Sequence, residues 1–203
     1  MTREEELSCI ERTLSGDTNA FAPLVTAYEK QIYNLALRML GSEQDAADAA
    51  QDAFVRAFTS LADFRGESKF SVWLYRICSN ICTDRLRRER KKNEIPLTAE
   101  NDDGEEVNVD VPDPAPGPEE LAERRELSEC VSRALKALPE DMREILLLRE
   151  NAGLSYDEIA ETLSLEVGTV KSRLNRARKK LCAVLTEDRN FSVPVSSKNT
   201  KEV

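Results

Sequence analysis

The chain of 203 residues has no histidine, and its aromatic residues amount to only 5% of the composition. Histidine is the side chain that most often acts as a general base near neutral pH, so its absence removes the commonest acid–base catalyst. The sequence also has no glycine-rich phosphate-binding loop and no Cys-x-x-Cys pair of the kind that holds zinc. We therefore expect a protein that is not an enzyme and that uses no cofactor and no metal.

Long apolar segments and a secretion signal are absent as well. The apolar runs are short: Ile145–Leu148 has four residues and the longest, Leu181–Leu185, has five, far below the roughly 20 residues of a membrane-spanning helix. The start, Met1–Glu6, is acidic where a signal peptide is basic. We expect a cytoplasmic protein with no stable membrane insertion, whose five cysteines are free thiols. Cys78 and Cys82 lie four residues apart on a predicted helix, and that spacing fits either a redox or metal pair or two residues packed in a core.

Charge is distributed unevenly along the chain. The net charge is −9, which by itself argues against a nucleic-acid partner. However, the segment Glu94–Glu123 holds eleven acidic residues and no Lys or Arg, so the rest of the chain carries a net +2. Basic residues cluster in that remainder at Arg85–Lys92 and at Lys171–Lys180. The whole-chain charge therefore hides two cationic segments that suit a polyanion.

Proline and acidic residues divide the chain into two parts. Residues 94–118 contain five prolines and clustered Asp and Glu without hydrophobic periodicity, which is typical of a linker. In the remaining segments the apolar residues recur with the period of an α-helix. We therefore predict an all-α fold class, with two small helical domains joined by an acidic flexible linker. The expected division is 1–93 and 119–186 for the two domains, 94–118 for the linker and 187–203 for a flexible tail.

Capping residues and glycines set the predicted helix boundaries. We predict helices over residues 3–14, 17–40, 42–61, 70–92, 119–137 and 140–150. Asp17 is expected to cap the second helix, and Ser42–Asp45 resembles a capping box for the third. Gly16 and Gly41 are expected to follow the ends of the first two helices.

A helix-turn-helix pattern occupies Leu154–Leu174. Apolar residues follow the second helix at steps of four, three and four, from Val170 to Leu181, and six basic residues with no acidic one lie between Gly168 and Cys182. A compact helix pair with a cationic second helix suits the DNA major groove, although a solvated basic face would give the same pattern. We call the residues off the apolar stripe the recognition face: Thr169, Lys171, Ser172, Arg173, Arg176, Arg178, Lys179 and Lys180.

Aromatic and basic residues combine in a second motif, which starts at the glycine loop Asp63–Lys69. Aromatic rings that stack on bases and cations that follow phosphates are what is needed to hold a single strand. The alternative is that Phe70, Trp73, Leu74 and Ile77 form the core stripe of a helix. We call the candidate residues the strand-capture site: Phe64, Arg65, Gly66, Lys69, Trp73, Arg76, Asn80, Arg87 and Arg88.

A third motif is an anionic face on the helix predicted over 42–61. Asp45, Asp48 and Asp52 have the spacing i, i+3, i+7, which places them on one side of a helix. Such a stripe is usually only solvated, but it would also suit docking onto a protein partner.

In this order, the three motifs resemble a bacterial extracytoplasmic-function sigma factor of group 4. The resemblance rests on Asp45–Phe58, Phe64–Gly66, Phe70–Ile77 and Val167–Leu174, and it covers about 18–92 and 119–185. It implies a promoter-specificity subunit whose partners are core RNA polymerase and promoter DNA, and the family commonly answers to an anti-sigma protein as well. The first domain would melt and read the minus-10 element through the strand-capture site, and the second would read the minus-35 element through the recognition face.

The resemblance also implies a polymerase-docking face on the acidic helix, formed by Asp45, Asp48, Gln51, Asp52, Val55 and Arg56. Two features depart from the family pattern. Ser164 stands at the turn position where relatives usually have glycine, and if it is left-handed it costs roughly 1 kcal/mol. The acidic helix carries alanines where relatives often have larger aliphatic residues.

A different class of protein also fits part of the sequence. A conventional helix-turn-helix transcriptional regulator, acting without polymerase docking, would account for the pattern over residues 155–181. It would leave the Trp73 segment and the acidic helix without a role. Such a regulator also usually carries a dimerisation or ligand-binding domain, and the sequence does not indicate one. The sigma-factor interpretation accounts for all three motifs.

Overall fold

The computed structural model describes residues 1–93 and 118–187, except for the side chains of 92–93 and 118–125. Every regular element within these ranges is a helix, as the sequence predicts. The predicted linker falls almost entirely outside the described residues, as does the predicted tail. The helices are α1 (Arg3–Leu14), α2 (Ala22–Leu40), α3 (Glu43–Thr59), α4 (Phe70–Asn93), α5 (Pro118–Lys136), α6 (Glu140–Leu146), α7 (Tyr156–Leu163) and α8 (Val167–Glu187).

Local signals explain most of the boundaries in the N-terminal domain, α1–α4. Gly41 ends α2 in a left-handed conformation with φ of 76°, and Ser42 caps α3 by accepting a hydrogen bond from the Asp45 amide. The prediction that Asp17 caps α2 is wrong. Its carboxylate pairs instead with Arg12 at 2.6 Å, and a short 3-10 turn over Thr18–Phe21 precedes α2.

The alanines of α3 determine how closely it packs. Five of them, one helical face, are buried against the rest of the domain: Ala46, Ala49, Ala50, Ala53 and Ala57. Because small side chains let helices approach closely, this face packs on both α2 and α4. The opposite face of α3, which carries the predicted docking residues, is left toward solvent.

The C-terminal domain is built from α5–α8. A π-helical segment, Leu147–Asn151, extends α6, and a capping box at Ser155 begins α7. Ser164 ends α7 with φ of 53° and ψ of 49°, so it has the left-handed conformation expected of a glycine position. The apolar stripe of α8 is buried as predicted at Val170, Leu174 and Ala177.

The two domains pack against each other. Helices α5 and α6 and the π-helical segment contact α2, and α7 contacts α4. One continuous apolar cluster runs through both domains, from Ile10 to Ala177. Among the described residues, no helix is both long and apolar enough to cross a bilayer.

Candidate nucleic-acid interface

Helix α8 presents most of the recognition face to solvent. Its core contacts use only the apolar stripe, so the polar side chains between those positions project outward. The exposed members are Lys171, Ser172, Arg176, Arg178, Lys179 and Lys180, whereas Thr169 and Arg173 are half-buried. This separation of core and surface gives a cationic helix face of the kind that major-groove reading requires.

Acidic side chains of the same domain hold two of the recognition-face arginines. Arg178 pairs with Glu150 at 2.6 Å, and Arg173 lies 3.8 Å from the Asp141 carboxylate. The hydrogen bond that Arg178 donates to Glu150 raises the pKa of the arginine above its ordinary value. These acids occupy the two guanidinium groups, so either arginine would have to exchange its partner in order to contact a phosphate or a base.

A tyrosine at the start of α7 organises the cations at the start of α8. The Tyr156 ring lies 5.0 Å from the Arg149 guanidinium and 5.9 Å from the Lys171 ammonium, both within cation–π range. Arg149 also donates a 2.7 Å hydrogen bond to the Leu154 carbonyl, which fixes the loop before α7. Lys171 therefore has a defined position over an aromatic ring.

The strand-capture site starts in the loop before α4. Gly66 has φ of 72°, a conformation that side chains other than glycine rarely adopt, and its carbonyl accepts a 3.1 Å hydrogen bond from Arg3. Arg65 is exposed, and Lys69 pairs with Glu158 of α7 at 3.2 Å. The loop thus combines an unusual backbone turn with cations at the surface.

Aromatic rings under this loop form a cluster. The centroid of Phe64 lies 5.8 Å from that of Phe70 and 5.3 Å from that of Trp73, and Phe70 lies 5.8 Å from Trp73. Trp73 is only 8% exposed and Phe70 only 1%, while Phe64 is half-buried. Trp73 and Phe70 therefore belong to the core, and Phe64 is the most accessible ring of the cluster.

The polar members of the strand-capture site follow one another along α4. Arg76 is half-buried, and Asn80, Arg87 and Arg88 are exposed. Arg87 lies 3.9 Å from Asp84 one turn earlier, a surface pair that contributes little to stability. Together with the loop, these residues place polar and cationic side chains along α4 from the aromatic cluster onward.

The predicted docking face lies on the solvent side of α3. Asp48, Gln51, Asp52, Val55 and Arg56 are exposed and Asp45 is half-buried. Val55 is 57% exposed, the largest exposed fraction among the large apolar residues of this helix. A groove of about 370 Å³ between α3 and α4 is lined partly by the same residues and also by Ile81, Asp84, Arg85 and Arg88.

The sequence did not indicate the role of Arg85, which was grouped with the basic cluster of α4. Its guanidinium binds the Asp45 carbonyl at 3.1 Å and the Asp52 carboxylate at 2.7 Å. It therefore joins α4 to the acidic face of α3. The sequence distance of 33 residues between Arg85 and Asp52 left no local signal for this pair.

The two cysteines of α4 are part of the core. Cys78 and Cys82 are fully buried, and a hydrogen bond between the two thiols is the main cause that raises the pKa of Cys78. Within the described residues, no group of His, Cys, Asp and Glu side chains is arranged to hold a metal ion. Of the two interpretations of the cysteine spacing, packing in a core matches the observed burial.

Comparison with known proteins adds independent findings. The family model for Sigma-70 region 2 matches residues 24–92, and that for Sigma-70 region 4 matches 128–181. The RNA polymerase sigma-H factor of Pseudomonas aeruginosa is 39% identical over 183 residues, covering 88% of this chain and 93% of that protein. The ECF RNA polymerase sigma factor SigW of Bacillus subtilis is 39% identical over 174 residues, covering 85% of this chain and 92% of that protein.

A solved structure shares the fold. The structure of CnrH in complex with the cytosolic domain of CnrY matches with a TM-score of 0.64 and 30% identity, covering 89% of this chain and 96% of that one.

The two matched regions, in this order on one all-helical chain, define a promoter-specificity subunit of the sigma-70 class. The chain belongs to the extracytoplasmic-function (ECF) family of RNA polymerase sigma factors. Its partners are core RNA polymerase and promoter DNA, and it directs promoter-specific transcription initiation. This confirms the sigma-factor interpretation over a regulator that acts without polymerase.

Proposed function

We propose a division of labour between the two domains. The N-terminal domain, over residues 1–93, docks on core polymerase and opens the minus-10 element. The C-terminal domain, over residues 119–186, reads the minus-35 element as duplex. The observation that supports the proposal is the outward-facing cationic side of α8, whose basic residues lie off the buried apolar stripe.

The recognition face supports reading of the minus-35 element. Arg176 is exposed near the N-terminal half of α8, where a helix in the major groove reaches base edges. Arg173 and Arg176 suit bidentate contacts with guanine, and Arg178, Lys179 and Lys180 lie further along, where the helix meets phosphates.

The strand-capture site supports opening of the minus-10 element. Melting requires a pocket that accepts an unstacked base and offsets a few kcal/mol of lost stacking. The loop with Gly66 and the half-buried Phe64 supply a turn and an accessible ring, and Asn80 supplies an exposed amide for hydrogen bonding. Arg87 and Arg88 lie further along α4, where they suit the backbone of the captured strand.

The docking face supports the contact with polymerase. The exposed acids Asp48 and Asp52 share this face of α3 with the exposed side chain of Val55, so the surface combines charge with an apolar anchor. The salt bridge of Asp52 with Arg85 places one carboxylate in a fixed position on this surface.

Regulation and location follow from the same assignment. CnrH is solved in complex with the cytosolic domain of CnrY, which supports a protein partner, such as an anti-sigma protein, for this chain. A protein that works with polymerase on promoters acts in the bacterial cytoplasm. It performs no chemical step of its own, because polymerase supplies the catalysis.

Transcription with purified components tests the proposal. Core polymerase with the full chain is incubated with genomic fragments of the bacterium that carries the gene, and the transcripts are sequenced. We expect new start sites that share two upstream motifs and that core polymerase alone does not use. If the chain binds DNA tightly without polymerase yet adds no start site, the proposal is wrong.

A further inference from the structure

A buried carboxylate fixes helix α1 to the rest of the N-terminal domain. Glu6 is only 6% exposed, and its carboxylate accepts a hydrogen bond from the Tyr28 hydroxyl of α2. Burial and this hydrogen bond raise the pKa of Tyr28 above its ordinary value. Ile10, one turn further along α1, is 4% exposed and belongs to the core. Helix α1 therefore has a defined position, although none of the three sequence motifs includes it.

From this position α1 reaches the loop of the strand-capture site. Arg3, the first residue of α1, donates a 3.1 Å hydrogen bond to the carbonyl of Gly66, which lies 63 residues further along the chain. Helix α1 also contacts the 3-10 turn Leu61–Asp63, which leads into the loop. The Sigma-70 region 2 match starts at residue 24, so α1 lies outside it. An element outside the matched region thus touches the candidate site.

The loop backbone over residues 65–68 has little other support. Among the described residues, the hydrogen bond from Arg3 is the only one that this stretch of backbone makes. A Cβ added at Gly66 would meet no described atom within 4 Å, so no packing contact holds the turn at this point. Because glycine adopts many backbone conformations, a contact to its carbonyl is what selects one of them.

The anchor of α1 also packs against the aromatic cluster under the loop. The Tyr28 ring centroid lies 6.0 Å from that of Phe70, and Phe70 lies 5.8 Å from the accessible ring of Phe64. Tyr28 therefore contacts Glu6 of α1 through its hydroxyl and the aromatic cluster through its ring. The loop backbone and the rings beneath it are supported by the same helix.

We propose that α1 is a positioning element for base capture, in which the Arg3 guanidinium holds the Gly66 peptide in the conformation that receives an unstacked base of the minus-10 element. The inference rests on the proposed role of the strand-capture site. Arg3 acts through the loop and does not contact the DNA. A binding loop that is already ordered loses less conformational entropy when its ligand binds, so the contact increases affinity for the captured base.

Removal of the Arg3 side chain is the most direct test. The probe is a single-stranded non-template oligonucleotide with the minus-10 element of the mapped start sites, together with a set in which one base is replaced at each position. Binding to the complex of core polymerase and full chain is measured by fluorescence anisotropy. Arg3→Ala should weaken binding of the preferred strand about fivefold, the factor expected for loss of one hydrogen bond. Binding of the strand that lacks the captured base should not change, so the preference for that base shrinks about fivefold.

A salt titration separates positioning of the loop from a direct phosphate contact. If Arg3 positions the loop, Arg3→Ala leaves the dependence of affinity on salt concentration unchanged. A cation that neutralises one phosphate of a single strand contributes about 0.7 to the slope of log K against log salt. Equal losses for every oligonucleotide, with a slope smaller by about 0.7, would overturn the inference because Arg3 would then bind the DNA backbone.

Two further variants serve as control and as independent test. Arg12→Ala removes a cation from the same helix, but Arg12 pairs with Asp17 and not with the loop, so base preference should stay at the wild-type value. Tyr28→Phe keeps the ring and removes the hydroxyl that holds Glu6, so it should reduce base preference in the same direction as Arg3→Ala. Amide hydrogen exchange over residues 64–69 of the free chain should be faster in Arg3→Ala and Tyr28→Phe and unchanged in Arg12→Ala. Circular dichroism confirms that each variant is folded.

The outcomes are distinct. A reduced base preference and faster loop exchange in Arg3→Ala, with the wild-type salt slope and without either change in Arg12→Ala, support the positioning role. Wild-type base preference in Arg3→Ala overturns it and leaves the sigma-factor function intact. If the wild-type complex prefers no base at any position of the single strand, the proposed strand-capture site has itself failed, and the inference fails with it.

Discussion

The two candidate DNA-reading regions differ in how they relate to the core. In α8 the buried residues and the recognition face are different sets, and the cations lie outside the apolar stripe. In the strand-capture site the two sets overlap, because Trp73 is 8% exposed and packs on Phe64 and Phe70. The C-terminal site uses side chains that the core does not use, whereas the N-terminal site shares side chains with the hydrophobic core.

This difference suits the two substrates. Duplex DNA presents base edges in a groove, so a rigid helix with an independent polar face is sufficient to read it. A melted strand presents unstacked bases, and their capture requires a pocket with aromatic walls. In this domain the accessible ring of Phe64 packs directly on the buried rings of Phe70 and Trp73.

Truncation of Trp73 should give the largest loss of stability. It tests whether the strand-capture site and the hydrophobic core use the same side chain. Loss of a buried indole costs about 3 to 5 kcal/mol, so Trp73→Ala should unfold at a much lower temperature than the wild type. Thermal denaturation followed by circular dichroism measures the change. Asn80→Ala, at an exposed position of the same helix, is the control and should stay within about 0.5 kcal/mol. A small effect of Trp73→Ala would show that the tryptophan is not part of the core.

Truncation of Arg176 tests the opposite property of the C-terminal site. Because Arg176 is exposed on α8, Arg176→Ala should leave stability within about 0.5 kcal/mol of the wild type. It should cost about 1 to 3 kcal/mol in discrimination at the base it contacts. Initiation rates on the preferred promoter and on promoters altered at single minus-35 positions measure the effect. Equal losses on every promoter would mean that Arg176 only positions the protein on phosphates.

Charge reversal on α3 tests whether the docking face, like α8, is separate from the core. Asp48→Lys should weaken binding to core polymerase about tenfold at low salt, with a smaller effect at high salt. Its thermal stability should be unchanged, since an exposed charge contributes little. Glu11→Lys on exposed α1 provides the same charge change away from this face. Wild-type affinity of Asp48→Lys in a pull-down titration would remove α3 from the docking site.

The smallest expected effect is on the pH dependence of stability, through Glu144 at the interface between the two domains. Burial raises the pKa of the Glu144 carboxyl above its ordinary value of 4.5. Since the folded chain then holds this proton more tightly than the unfolded chain, the contribution to stability is present at low pH and is lost as the pH rises through the interval above 4.5. Melting temperatures between about pH 5 and about pH 7 should therefore fall less steeply for Glu144→Gln than for the wild type. Parallel pH profiles would show that Glu144 does not titrate in this range.

Local patterns predicted the fold better than they predicted contacts. The helices and the buried stripe of α8 follow from periodicity and capping, which are properties of neighbouring residues. The turn position of Ser164 was expected only from the resemblance to the family. Asp17 was assigned to a cap because of its position, but the nearby Arg12 provides a stronger partner for its carboxylate. Competition of this kind is decided by side-chain geometry rather than by sequence spacing.

The candidate site residues could be predicted from the sequence where they are not also residues of the hydrophobic core. The exposed recognition face could be found by removing the apolar stripe from α8, but no such subtraction works for Trp73, where both interpretations fit the same spacing. Arg85 and Glu144 were missed because their partners lie 33 and 65 residues away in the chain. Tertiary packing alone brings those groups together, and the sequence pattern of two domains with a predicted linker gave no reason to expect it.

The central claim is that one chain places its two regions on two different promoter elements. A photo-crosslinking amino acid at position 176 in one preparation, and at position 80 in another, tests it in the complex of core polymerase, full chain and promoter. We predict that position 176 crosslinks to the minus-35 duplex and position 80 to the non-template strand of the minus-10 element. Crosslinks from both positions to the same element, or from position 80 to double-stranded DNA alone, would contradict the account.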